Sequence, residues 1–299
     1  MSRLEIAKER IEFNFSDQEY LERRTKVYRI DSGDKVDMQM TTVLMDQLDM
    51  PKGQLIHKNQ DECVYELEDG KKCKVLYDPR RERPIYNVYY NREYSDITIE
   101  INRNYQLEGL KNGDLEYMFS GEMFANRMTY LGEGVLHSSS ILYQGVAIAF
   151  SAVSGTGKST HTGLWKKYYG DQVEILNDDK PAIRFEDELP YLYGTPWSGK
   201  TEWNQNASAP LRAIFFIKRD TTNWVEPIGV AERMYNLTNQ LNLPAYDEEL
   251  CEKTALFAQK LALSVPMYYL HCNMEREAVE VVRRELFGGE IEYEDKTRI

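Results

Sequence analysis

The first hundred residues alternate between apolar and polar positions. Short runs recur at Thr25–Ile30, Cys63–Leu67, Lys74–Tyr77 and Ile97–Ile101, the period-two pattern of half-buried strands. Asp69-Gly70 lies between two of these runs and reads as a hairpin turn, because glycine tolerates the positive φ that such turns demand. Asp78-Pro79-Arg80-Arg81-Glu82-Arg83-Pro84 reads as a solvated surface loop, with a proline near each end working against regular structure. Residues 1–107 are therefore expected to form a smaller, β-rich domain.

The texture changes after that. Residues 114–130 read as a helix, with Leu115, Met118, Met123, Phe124 and Met128 roughly on one face. Val135–Tyr143 and Gly145–Ser151 read as adjacent strands, the second apolar on both faces and hence central in a sheet. Ala255–Leu263 and Glu275–Leu286 are amphipathic helices that packing alone explains. Gly288–Ile299 is polar and expected to fray. Residues 108–299 are thus expected to form a second domain of the α/β class with a mixed sheet.

Composition narrows the function classes. With 37 Lys+Arg against 49 Asp+Glu, the 299-residue chain carries a formal net charge of −12. That excess argues against general binding to nucleic acid or to anionic membranes, which attract basic surfaces. The chain opens without a secretory signal and has no run of the ~20 apolar residues that span a bilayer. Its four cysteines form no C-x-x-C pair, which points to scattered reduced thiols and a cytoplasmic protein.

Ala152-Val-Ser-Gly-Thr-Gly-Lys-Ser159 fits the phosphate-binding loop (P-loop) pattern with alanine in place of the first glycine. Val146–Phe150 leads in as a strand and Thr160–Tyr169 leads out as a helix ending at Gly170, the context that the motif requires. Ser154, Gly155, Thr156, Gly157, Lys158, Ser159 and Thr160 are the expected nucleotide contacts. Curled glycine backbone and a helix N-terminus together aim N–H groups at phosphate oxygens. Lys158 would reach the β- and γ-phosphates, and the Ser159 hydroxyl would ligate Mg²⁺. No D-x-x-G or N-K-x-D follows, which disfavours a GTPase switch. Val173–Asp179 instead ends in paired carboxylates, Asp178 and Asp179, at a strand end where such folds keep catalytic groups. On an extended segment the two would point to opposite sides.

Ser154–Thr160, the Asp178-Asp179 pair, and His137 fifteen residues before Ala152 resemble the kinase domain of HPr kinase/phosphorylase. More distantly they resemble the nucleotide core of phosphoenolpyruvate carboxykinase. Tyr193–Lys200 followed by Pro210–Lys218 looks like the HPr-kinase-related proteins found near peptide-modification genes. The likeness covers residues 134–286 and leaves the first hundred unmatched. It implies a phosphoenolpyruvate carboxykinase/HPr kinase-like fold for the second domain. It also implies a general base at Asp178, Mg²⁺ on Ser159 and Asp179, and His137 beside the acceptor helping to position Asp178. The two aspartates could exchange roles. The R-G-x-G segment of true HPr kinases is absent, the region reading Tyr193-Gly194-Thr195-Pro196, so HPr itself is not carried over as acceptor.

Beyond these, Lys200 and Arg212 are candidate phosphate or substrate contacts. Trp197 reads equally as a surface for a base or peptide and as part of a turn-rich connection. His161 is expected to face solvent, and Lys218-Arg219 to be a solvated strand end. The leading expectation is an ATP- and Mg²⁺-dependent kinase acting on serine in a peptide or protein. A small-molecule hydroxyl kinase and a nucleotide-sensing binding protein without phosphotransfer are the alternatives. A homo-oligomer is expected by analogy with HPr kinases, which associate.

Overall fold

The structure, a computed structural model, describes residues 2–31, 35–78, 83–105 and 111–288. Among these the chain forms two mixed β-sheets and six α-helices. The first sheet is built from β1 (Ser2–Ile6), β2 (Glu9–Asn14), β3 (Met38–Met45), β4 (Gly53–Lys58), β5 (Glu62–Leu67), β6 (Lys72–Asp78), β7 (Arg83–Tyr90) and β8 (Asp96–Asn102). Its order is β1-β2-β3-β8-β7-β6-β5-β4. The Asp69-Gly70 turn joins β5 to β6, with Gly70 at φ 80°.

Two expectations for this region change. Thr25–Ile30 is not a strand: helix α1 (Gln18–Thr25) is capped by the Asp17 carboxylate on the Tyr20 amide, and a 3₁₀ turn, Lys26–Tyr28, continues it. The local cap outcompetes the alternation. Arg83 and Pro84 belong to β7 rather than a loop, with Pro84 opposite Tyr77 at a register shift that tolerates a missing N–H. Residues 79–82, the expected domain boundary at 107/108 and the tail beyond Gly288 lie outside the described residues.

Helix α2 (Asn112–Tyr130) covers one face of this sheet. Leu115, Phe119, Met123, Phe124 and Met128 pack with Phe13, Met38, Met40, Ile97 and Ile99, while Met118 is left 49% exposed. Trp197, from far along the chain, completes this core. Its ring stacks on Phe124 at 4.7 Å and its indole N–H donates to Ser120 Oγ at 3.1 Å. Gly121 makes room for it, since a Cβ there would stand 2.7 Å from the indole.

The second sheet is built from β9 (Gly134–Val135), β10 (Ser138–Tyr143), β11 (Val146–Ser151), β12 (Val173–Asn177), β13 (Ala182–Glu186), β14 (Leu189–Tyr193), β15 (Ser208–Arg219), β16 (Trp224–Pro227) and β17 (Met267–Cys272). Its order is β12-β10-β11-β15-β14-β13-β9, with β17 on β15 and β16 on β17. Strand β11 is central, as its doubly apolar run implies. Ile148 and Phe150 meet helices α3 (Lys158–Tyr169) and α6 (Glu277–Phe287) on one face. Ala147 and Ala149 join the opposite core with α4 (Val230–Gln240) and α5 (Glu248–Ser264). No helix among the described residues is long and apolar enough to cross a membrane.

Register decides where chemistry can gather. Strands β11 and β15 run parallel, Ser151 pairing with Phe216, so both carboxyl ends lie on one edge. Strand β10 is antiparallel to β11 and to β12, with Ser138 opposite Ser151 and Ser140 opposite Asn177. The glycine loop, Ser138-Ser139 and the Asp pair therefore share that edge. Replacing Trp197 with Ala should cost about 3–5 kcal/mol, read by urea denaturation; an unchanged midpoint would show that this core does not depend on the ring.

Candidate nucleotide and phosphoryl-transfer site

Strand β11 ends at Ser151, and the chain turns through residues 152–157 into α3. The Thr156 amide closes on Val153 O at 3.1 Å, and Gly155 and Gly157 take φ values of 78° and 125°. Neither glycine has an atom within 4 Å of where a Cβ would sit, so it is the backbone angles that call for glycine there. Among the described residues, nothing accepts the amides of Gly155, Gly157, Lys158, Ser159 or Thr160. These are the unsatisfied donors of a helix start, concentrated by the loop. Arg219 fixes the other side, its guanidinium donating to Thr156 O at 2.9 Å and to Gly155 O. Lys218 and Arg219 are exposed, as expected of a solvated strand end, and from there Arg219 also clamps the loop. Thr156 itself spends its amide on Val153 and its carbonyl on Arg219, and it does not line the cavity beside the loop.

That cavity measures about 860 Å³ and is lined by Ser154, Gly155, Gly157, Lys158, Ser159 and Thr160 on the loop side. Lys158 is buried, with Nζ 3.0 Å from Ala152 O. Burial pulls its pKa below the ordinary value, against the opposing pull of Asp179 and Asp178.

The Asp pair stands across from the loop, held by Asn177. This fully buried amide donates to Thr195 O at 2.7 Å, and its Oδ1 accepts the amides of Asp179 and Lys180 at 2.9 and 2.7 Å. The strand stops there, and the turn sends both carboxylates into the same cavity rather than to opposite sides. Asp178 is 5% exposed, with Ser139 Oγ donating to Oδ1 at 2.7 Å and Thr201 Oγ1 to Oδ2 at 3.0 Å. Thr162 of α3 lies 2.8 Å behind Ser139. His137 faces Asp179, Nε2 to Oδ1 3.3 Å, and so pairs with the other carboxylate from the one the resemblance implied.

The remaining lining comes from elsewhere in the chain. Lys180, Ser198, Gly199, Lys200 and Thr201 reach it from the second sheet's connections, and Tyr20, Arg24, Tyr117 and Met118 from α1 and α2. Lys200 joins the cavity. Arg212 does not: it donates to Leu286 O at the amino-terminal end of the parallel strands, opposite the loop. Trp197 lines the cavity, but the residue is buried and its ring serves the core described above.

No protein-family model matches the chain, and no curated protein does. Among solved structures, the Hpr(Ser) kinase/phosphatase from Coxiella burnetii is similar to it. The match covers 50% of this chain and 95% of that one, at 9% identity and a TM-score of 0.30.

Sequence reading missed Arg24, Ser139, Thr201 and Arg219. Parallel pairing of β15 with β11 is the signal for Arg219; the others depend on contacts between distant segments. It also misplaced His161, which is buried against Phe150 at 4.4 Å and accepts the Trp165 indole N–H at 3.2 Å. Burial lowers its pKa to about 3, from 6.5. Between those values the unfolded chain binds a proton that the folded chain refuses, so stability falls as pH drops through this window. His161→Gln should flatten that decline by roughly one kcal/mol per pH unit. Parallel acid-denaturation curves for variant and wild type would refute the assignment.

Proposed function

We propose that this chain is an ATP- and Mg²⁺-dependent phosphotransferase acting on a hydroxyl, with serine in a peptide or protein as the acceptor. The observation that carries the reading is the meeting of unsatisfied loop amides, a buried lysine and two carboxylates on one cavity. An acidic chain has few ways to hold a polyphosphate, and this loop concentrates them.

The loop amides would take the β- and γ-phosphate oxygens, and Lys158 would neutralise charge as the γ-phosphoryl moves. Ser159 and Asp179 supply the hydroxyl and carboxylate that a phosphate-bound Mg²⁺ uses. Phosphate and water complete such a shell, so a preformed cage is not required. Among the described residues no group of three or more His, Cys, Asp or Glu forms one. Held there, the cation would supply neutralisation of the phosphate charge. Asp178 is the base: a hydroxyl on each of its oxygens, Ser139 on one and Thr201 on the other, fixes its orientation at the cavity. It takes the acceptor's proton as the acceptor oxygen bonds to phosphorus, and the bond to the β-phosphate oxygen breaks to release ADP. His137 orients Asp179 rather than the base.

Asp178→Asn should keep Mg²⁺-ATP affinity within about twofold and lower transfer by about 10²- to 10⁴-fold. Lys158→Ala should weaken both. Calorimetry and labelled-ATP transfer to serine peptides measure the two separately. Tight binding with no transfer by the wild type would favour a nucleotide sensor; unchanged turnover in Asp178→Asn would remove the base assignment.

A further inference from the structure

The cavity has a second wall that phosphate handling leaves unused. It consists of Tyr20 and Arg24 from α1 with Tyr117 and Met118 from α2, both outside the stretch carrying the loop. Tyr117 and Arg24 Nη1 spend their hydrogen bonds internally, and Arg24 Nε is buried without a partner among the described residues. Tyr117 donates its phenol to Pro196 O at 2.9 Å and accepts the Ser198 amide at 2.6 Å. Arg24 Nη1 serves Gly199 O at 3.1 Å and Thr201 O at 2.6 Å. The guanidinium lies 4.7 Å over the Tyr117 ring and 5.6 Å from the Tyr20 ring centre. What remains for a ligand is aromatic surface and the half-exposed thioether of Met118. Asp114 and Lys200 also line the cavity, and Lys200 has no partner among the described residues.

Position assigns this wall a role. In-line transfer places the acceptor oxygen opposite the leaving oxygen. The loop would hold the leaving side, so the acceptor must approach from the side of Asp178. That aspartate is joined through Thr201 to residues 198–201, the segment that Arg24 and Tyr117 brace. The approach therefore runs along Tyr20, Tyr117 and Met118.

Resting on the phosphotransferase reading, we propose that this wall is the acceptor subsite and that it takes a peptide serine or threonine flanked by an aromatic or aliphatic side chain. A sugar or other polyol would need several accessible polar partners, whereas Tyr117 and Arg24 Nη1 are spent on the 196–201 connection and Arg24 Nε is buried. An apolar neighbour gains contact area without asking for any.

The test uses the full-length protein, labelled Mg²⁺-ATP and short glycine-based serine peptides. Phe, Leu, Gly or Asp is placed directly before or directly after the serine. Phe and Leu should exceed Gly and Asp in kcat/KM by about tenfold or more in at least one series, the usual worth of one apolar contact. Met118→Glu should erase that preference while the calorimetric affinity for Mg²⁺-ATP stays within about twofold. Equal rates for all flanks, or a preference that survives Met118→Glu, would overturn the subsite. Weakened Mg²⁺-ATP binding in Met118→Glu would overturn it too, by assigning the wall to the nucleoside. ATP hydrolysis with no peptide labelled would remove the peptide subsite and leave the phosphotransferase reading standing; no hydrolysis and no labelling would remove both.

Discussion

The arrangement of the site depends on one buried side-chain amide. Asn177 ends strand β12, and its oxygen accepts the amides of Asp179 and Lys180, which forces the turn that brings Asp178 and Asp179 to the same side. Its nitrogen reaches Thr195 O and, at 3.4 Å, Trp197 O, so the same residue anchors the connection that carries Lys200 and Thr201. A fully buried amide left unpaired costs about 1–3 kcal/mol. The segments on either side are therefore held in register with each other. Without that turn the two carboxylates would diverge as strand geometry dictates.

The N-terminal sheet is tied to this edge through the same connection. Trp197 enters the core beneath α2, Arg24 grips the carbonyls of Gly199 and Thr201, and the Tyr28 hydroxyl donates to Gln205 O at 3.1 Å. A buried ion pair, Arg127 with Glu9 at 3.0 Å, adds a further constraint between helix α2 and β2. Breaking such a pair is costly because it strands a charge away from water. The residues of the first hundred that match no motif thus have a structural task at the cavity: Tyr20 and Arg24 line it, and Arg24 holds the segment whose Thr201 contacts Asp178.

Much of the loop side was legible because its chemistry is local. Glycines at 155 and 157, the lysine, the serine and the apolar strand before them are contiguous, and the helix ends at Gly170 with φ 54° as a terminating glycine does. The alternation of β5, β6 and β8 was legible for the same reason. Alternation failed at Thr25–Ile30, where a capped helix took precedence, and helical spacing failed at Met118, which faces the cavity rather than the core. The partners of Asp178 were not legible at all. Ser139 and Thr201 are 39 and 23 residues from Asp178 in sequence and meet it only because β10, β12 and the 198–201 segment converge. Arg212, a candidate phosphate contact by sequence, lies at the opposite end of β15 from the loop, whereas Arg219, seven residues on, reaches the loop carbonyls.

Electrostatics gives the account its sharpest physical content. A chain of net charge −12 sets Lys158, Lys180 and Lys200 around two aspartates in one cavity, with loop amides supplying the rest of the positive field. If that cavity is a single phosphoryl-transfer site, nucleotide binding must be felt on both sides of it. Hydrogen exchange with and without Mg²⁺-ATP measures this directly. The account predicts slowed exchange at the amides of 155–160 together with residues 177–180 and 198–201. Protection absent from the loop, or appearing only away from this cavity, would contradict it.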